Sequence, residues 1–89
     1  MAYDLLIKNG LVIDGTGAPG RHADVAVAGG KIVEVGRVHG AARQTIDASD
    51  CVVSPGFIDP HTHYDAQICW DGAVTPSSWH GVTSVVMGN

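Results

Sequence analysis

The chain has 89 residues, of which 45% are hydrophobic and 16% charged, and its formal net charge is −4 at pH 7. Only five residues are Lys or Arg, and because nucleic-acid binding relies on such cations, nucleic acid is not an expected partner. No apolar run approaches the roughly 20 residues of a membrane span, and the first residues lack the pattern of a signal peptide. We therefore expect no membrane partner and a cytoplasmic location.

The first half of the chain has the pattern of antiparallel hairpins, in which short strands are separated by tight turns, with many of the 12 glycines at the turns. Residues 3–8 alternate in polarity, and Asn9-Gly10 predicts a two-residue turn into a second strand at 11–13. A second hairpin is predicted from residues 23–28 and 31–35 around Gly29-Gly30, and two more strands at 44–47 and 51–54. The fold class predicted for residues 1–55 is mainly β, one layer of a β-sandwich.

A glycine-rich segment and two cysteines suggest other functions at first sight. Residues 15–20 fit G-x-G-x-x-G, but a dinucleotide site needs a helix to open at the third glycine, and a strand pattern follows here. We interpret the segment as a loop. Cys51 and Cys69 do not form a C-x-x-C pair, so we expect free thiols.

Residues 56–89 have a different pattern. A compact strand is predicted at 57–61, and an 18-residue stretch, 64–81, leads to a nearly continuous apolar strand at 82–87, which is enough for a parallel crossover. Within the crossover we predict a short helix with Thr75 as N-cap, Pro76 at its first position and Gly81 closing it. The sequence predicts the first β-α-β segment of a TIM-type (β/α)8 barrel, in which strands are buried on both faces.

The candidate site is His61-Thr62-His63, at the carboxyl end of the predicted strand. In extended backbone, residues i and i+2 point the same way, so both imidazoles can converge on one ion. Zinc accepts such nitrogens, and α/β barrels build their active sites at the carboxyl ends of their strands. The alternative is a pair of surface histidines after a strand; the preceding residues 55–60 (PGFIDP) favour the metal site.

Several segments in order resemble the amidohydrolase superfamily. Residues 53–63 (VSPGFIDPHTH) resemble its first barrel strand, and residues 4–10 (DLLIKNG) and 30–36 (GKIVEVG) are similar to its amino-terminal sandwich. More narrowly, residues 61–67 (HTHYDAQ) and 79–89 (WHGVTSVVMGN) resemble the N-acyl-D-amino-acid deacylase branch.

The resemblance implies an amino-terminal part of a metal-dependent enzyme in which His61 and His63 bind one or two divalent ions, zinc above all. It implies that the other ligands, a cysteine directly after Gly88-Asn89 among them, and the aspartate acid/base lie beyond this chain. We therefore assign no catalytic or cofactor-binding residue here and expect the 89-residue chain alone to be inactive.

The substrate that the resemblance implies is a small-molecule amide, an N-acyl-D-amino acid in particular, hydrolysed by metal-activated water. A hydantoinase- or dihydropyrimidinase-like cyclic amidase is the alternative, because the H-x-H strand is shared. A non-catalytic scaffold or binding module is a further alternative, against which the presence of both histidines argues.

Other polar and aromatic residues near the site are weaker candidates. Asp59 could orient a ligand or cap the loop, and Tyr64 and Asp65 could contact substrate or belong to the loop. We expect Trp70 and Trp79 to pack, and we leave Cys69 and His80 out of the metal set. Because barrel strands expect a neighbour on each side, we also expect the isolated chain to self-associate.

Overall fold

The computed structural model describes residues 2–88, which form two compact units that divide between Pro55 and Gly56. The fold is mainly β, as predicted, and the described residues contain seven strands and two short 3-10 helices. The strands are β1 (Tyr3–Val12), β2 (Arg21–Ala28), β3 (Lys31–Gly36), β4 (Ala42–Asp47), β5 (Val52–Val53), β6 (Phe57–Asp59) and β7 (Val82–Val85). The 3-10 helices are Gln67–Cys69 and Ser77–His80.

In the first unit, β1 to β5 form one sheet in which β1 is central. The order is β3-β2-β1-β4, and β5 also pairs with β1. The β1–β2 and β2–β3 pairs are antiparallel. Between β2 and β3 the chain turns at Gly29 and Gly30, whose φ values of 60° and 76° are the left-handed conformation that glycine adopts freely. The predicted Gly-Gly hairpin is therefore confirmed.

The prediction of a hairpin at Asn9-Gly10 is wrong. β1 runs through these residues as a single ten-residue strand, and its register against β2 shifts between Ile7 and Gly10. Asn9 has a φ of 67°, the left-handed conformation that this residue type tolerates. That conformation makes a β-bulge here instead of a turn, and the strand continues beyond it.

The strands β4 and β5 also differ from the prediction of hairpins in the first half. Both run parallel to β1, with β4 beside residues 3–8 and β5 beside Leu11 and Val12. They follow one another along the same edge of β1 and are separated by the turn at 48–50. On either side of this turn the Ala48 N–H donates to the Lys8 carbonyl at 2.8 Å and the Leu11 N–H donates to the Cys51 carbonyl at 3.0 Å.

Gly10 allows the turn to lie close to the bulge. A Cβ at this position would overlap Cγ2 of Val53 and lie 3.3 Å from Cβ of Ala48. The bulge of β1 against β2 and the turn between β4 and β5 are therefore matched interruptions on the two edges of β1.

The buried core of the first unit is small. Tyr3, Leu6, Ala26 and Val38 form it, and Ala28 and Ala42 pack against them. Other apolar side chains of the sheet stay exposed: Ile32 by 66%, Val35 by 40% and Ile46 by 44%. One layer of strands buries only part of its apolar surface, and a second layer is not among the described residues.

In the second unit, β6 and β7 form a two-stranded parallel sheet, so the predicted crossover is confirmed. β6 ends at Asp59, two residues before the predicted end. The strands are not buried on both faces: Phe57 is 62% exposed and Ile58 69%, because among residues 2–88 no third strand pairs with this sheet.

The predicted crossover helix is one turn of 3-10 helix, Ser77–His80. Gly81 closes it with a φ of 81°, as predicted, but Pro76 occupies the N-cap position and no side chain caps the first turn. The Thr75 hydroxyl instead donates to Asp71 Oδ2 at 2.6 Å. No helix in the described part of the chain has the length and apolar character needed to span a bilayer.

Candidate metal centre

The two candidate ligands follow the carboxyl end of β6. The backbone N–H of His61 donates to Asp59 Oδ1 at 3.2 Å. Thr62 is buried, and its hydroxyl donates to the Val86 carbonyl at 2.6 Å. His61 and His63 are exposed on either side of it. The buried threonine therefore anchors the segment, while the two imidazoles on either side of it stay exposed to solvent.

The imidazole rings of His61 and His63 lie next to each other. Their centroids are 5.1 Å apart and their planes meet at 79°. That separation is compatible with two nitrogens about 3.3 Å apart, the spacing of two ligands on one tetrahedral metal with bonds of about 2.05 Å. The donor set therefore fits half of a zinc site.

The other half of such a site is not supplied by residues 2–88. No group of three or more His, Cys, Asp or Glu side chains in this part of the chain is placed to hold an ion. Cys51 and Cys69 are free and exposed. His80 lies in the last turn of the second 3-10 helix. Among the described residues, the pair at 61 and 63 is thus two potential donors without a third.

Asp59, Tyr64 and Asp65 organise the backbone around the histidines. Asp59 accepts a hydrogen bond from the His61 N–H and so caps the loop. Loop capping was one of the two roles that the sequence allowed for Asp59, the other being to orient a metal ligand. Tyr64 is buried, its Oη donates to Ser77 Oγ at 2.8 Å, and it accepts from the Ser77 N–H at 3.2 Å. Asp65 Oδ1 accepts the Gly88 N–H at 2.9 Å.

Asp71 is an organising residue that the sequence analysis missed. Its carboxylate accepts the Thr75 N–H at 2.8 Å and the Thr75 hydroxyl at 2.6 Å, Gln67 Nε2 at 3.1 Å and the Ala73 N–H at 3.2 Å. These bonds, led by the Thr75 hydroxyl, lower the pKa of Asp71 to about 2. An Asp four residues before a Thr, in a crossover with Gly72 between them, is the signal that could have identified this loop.

The two tryptophans do not pack as expected. Trp70 and Trp79 are each 75% exposed. Both lie at the 3-10 helices, whose three and four residues contain no buried side chain. Their indole surfaces are therefore among the largest apolar areas that the second unit leaves uncovered.

Comparison with known proteins places this site in a family. The profile described as the amidohydrolase family matches residues 44–89, which include β6, the histidine pair and β7. The chain belongs to the amidohydrolase family. The resemblance inferred from the sequence motifs is thereby confirmed.

Individual amidohydrolases resemble the chain closely. A D-aminoacylase from Alcaligenes xylosoxydans xylosoxydans is 47% identical over 88 residues, which cover 98% of this chain and 18% of the relative. The solved N-acyl-D-glutamate deacylase of Bordetella bronchiseptica, complexed with zinc and a phosphonate mimic of the tetrahedral intermediate, matches with a TM-score of 0.93 and 41% identity. This match covers all of the chain and 19% of the deacylase.

A solved hydantoinase is less similar to the chain in structure. The L-hydantoinase of Arthrobacter aurescens matches with a TM-score of 0.61 and 30% identity over 68% of the chain. The chain spans about a fifth of the length of the D-aminoacylase and deacylase that it matches.

Proposed function

We propose that the protein carrying this chain is a metal-dependent amidohydrolase that hydrolyses N-acyl-D-amino acids. The observation that carries the proposal is the His61–His63 pair, with ring centroids 5.1 Å apart directly after a parallel strand. The similarity to the N-acyl-D-glutamate deacylase supports this substrate class, because that relative is complexed with zinc and a mimic of its reaction's tetrahedral intermediate and matches the whole chain.

The proposed role of this chain is to hold two of the metal ligands in place. His61 and His63 would donate one imidazole nitrogen each. Thr62 fixes the segment through Val86, and Asp59 fixes the His61 backbone. When bound, a divalent metal supplies the Lewis acidity that polarises an amide carbonyl and activates water. The remaining ligands and the group that transfers the proton to the leaving amine would come from residues outside this chain.

The two alternatives make different predictions. A hydantoinase would open a cyclic amide, and its structural match here covers less of the chain with lower TM-score. A non-catalytic scaffold would bind its partner without need of both imidazoles, which this chain has side by side.

The test is to replace His61 and His63 singly by Ala in the full-length product of the gene. His80→Ala is the matched control, since His80 is also exposed but lies outside the pair. Bound zinc is counted by elemental analysis, and turnover is measured on N-acetyl-D-amino acids, N-acetyl-L-amino acids and hydantoin.

We expect each ligand substitution to lower turnover by more than about 100-fold and to reduce bound zinc, because direct ligands matter at least as much as their supporting groups. His80→Ala should behave as wild type. Unchanged zinc and turnover in both ligand variants would contradict the assignment. Turnover of hydantoin without turnover of N-acetyl-D-amino acids would favour the cyclic amidase.

The 89-residue chain alone is predicted to be inactive and to hold zinc weakly. Two imidazoles make half of a four-coordinate site, and the described residues add no third ligand. Hydrolysis of N-acetyl-D-amino acids by the purified chain, at a rate that persists after removal of host enzymes, would contradict this prediction.

A further inference from the structure

The first unit contains a cavity of about 490 Å³ whose lining does not include the histidine pair. It lies where the bulge of β1, the first half of β2 and the residues after β3 meet. The ionisable side chains that line the cavity are those of Lys8, Arg21, His22, Asp24, Arg37 and His39. Its volume is in the range typical of small-molecule sites.

Positive charge is concentrated at this cavity although the chain is acidic overall. The chain has five Lys and Arg residues, nine Asp and Glu residues and a net charge of −4. Three of those five cations line the cavity, together with a single carboxylate. The cavity therefore has the opposite sign to the rest of the chain, which attracts anions to it.

The carboxylate, Asp24, is engaged by the backbone. It is buried, and its two oxygens accept the Asn9 N–H at 2.9 Å and the Val38 N–H at 3.2 Å. Burial alone would raise the pKa of Asp24, but these two bonds and the charges of Lys8 and Arg37 outweigh it and hold the pKa below its usual range. Asp24 thus fixes the wall of the cavity, with Lys8 and Arg37 near it.

Within residues 2–88, two of the three cations have no ion-pair partner. Arg21 Nη1 lies 3.6 Å from Asp14 Oδ2 and is partly neutralised. Lys8 and Arg37 form no ion pair with any residue from 2 to 88. Asp47 is the strand neighbour of Lys8, but its Oδ1 accepts from the Ser49 N–H at 3.0 Å and the Ser49 hydroxyl at 2.6 Å.

We propose that this cavity binds a phosphate group, with Lys8 and Arg37 as its principal ligands. Lysine and arginine side chains only donate hydrogen bonds, and the guanidinium fork matches two phosphate oxygens. The volume admits either free phosphate or a small phosphomonoester. None of the residues that line the cavity belongs to the histidine pair.

The proposal is tested by calorimetric titration of the full-length product of the gene at low ionic strength, with inorganic phosphate and with glycerol 3-phosphate. The test variant is Lys8→Gln/Arg37→Gln. The matched control is Lys31→Gln/Arg43→Gln, which removes the same charge from exposed residues that do not line the cavity.

We expect the test variant to raise the dissociation constant by about tenfold or more, because two charge-assisted contacts are lost. The control should change the dissociation constant by less than about twofold, because distant exposed charges are largely screened by salt. Arg37→Lys keeps the charge and loses the fork, so it should give an intermediate loss, and it decides the question if the double variant fails to fold.

Each outcome separates the proposal from a rival. Equal weakening in both double variants would show that net charge alone attracts the anion, and the proposal would be overturned. Binding that neither variant alters, as expected of phosphate at the metal centre, would also overturn it, and so would the absence of binding. Tighter binding of glycerol 3-phosphate than of phosphate identifies a phosphomonoester as the ligand, and equal binding identifies free phosphate.

Discussion

Replacing Asp24 by Asn tests how the bulge of β1 is held. In the native chain the two carboxylate oxygens accept the Asn9 N–H at 2.9 Å and the Val38 N–H at 3.2 Å. An asparagine amide has one accepting oxygen, and its nitrogen only donates. One of the two backbone donors therefore loses its partner and faces another donor.

The expected cost follows from that count. One buried backbone N–H without an acceptor costs about 1–3 kcal/mol, and the lower part of this range applies here because the bond of the Asn9 N–H is only part-buried. A loss of about 1–2 kcal/mol in local opening free energy makes the equilibrium constant for local opening roughly 5–30-fold larger. We therefore expect amide hydrogen exchange at Asn9 or Val38 to accelerate by that factor in Asp24→Asn.

Amide exchange is followed by mass spectrometry on peptides that cover residues 7–11 and 36–40. Asp14→Asn is the matched control: its carboxylate also accepts a backbone N–H, at 3.0 Å, but from Thr16 only two residues away and in an exposed loop. The control should leave exchange at residues 9 and 38 unchanged.

Acid gives a second readout of the same carboxylate. Because the pKa of Asp24 is lower in the folded chain than its usual value, its stabilisation is present above the unfolded value and is lost as pH falls through the folded one. Protection at Asn9 and Val38, corrected for intrinsic exchange, should fall in acid in the wild type and stay constant in Asp24→Asn. Exchange within about twofold of wild type in Asp24→Asn would refute this account of the bulge.

Three further predictions concern the rest of the chain. Gly10→Ala should destabilise the first unit by about 1–3 kcal/mol in urea titration, because its Cβ overlaps Val53; Val53→Ala should restore part of the loss, and Gly72→Ala, with open space around it, should be tolerated. The contacts of Asp71 should weaken as pH falls from 3.8 through about 2, the folded-state value, with a tryptophan fluorescence change that Asp71→Asn abolishes. The isolated 89-residue chain should self-associate in light scattering after gel filtration; a monomer at tens of micromolar contradicts this.

The sequence predicted those elements whose determining signals are local. Gly29-Gly30 turns the chain because two successive left-handed residues suit a hairpin, and the structure has them at φ 60° and 76°. The parallel β6–β7 pair follows from an apolar strand on each side of a long crossover. The spacing of His61 and His63 predicts neighbouring imidazoles, and the rings do lie next to each other.

The errors arise where distant partners decide the structure. Asn9 adopts the left-handed conformation that the turn prediction requires, but strands on both sides of β1 continue past it, so a bulge forms. The parallel pairing of β4 with β1 joins residues about 40 positions apart, and no short-range pattern encodes it. The exposure of Trp70 and Trp79 depends on what packs against them, which residue type alone does not determine.

The matched interruptions of β1 have a consequence for how this chain can vary in length. Side chains of a strand alternate between faces, so adding one residue to the turn at 48–50 would shift β5 against Leu11 and Val12 and send Val52 and Val53 to the opposite faces. A compensating insertion or deletion at the Asn9 bulge would restore the alignment. Gains and losses of residues at these two places, some 40 positions apart, should therefore occur together among homologues, and a change at one place alone should be rare.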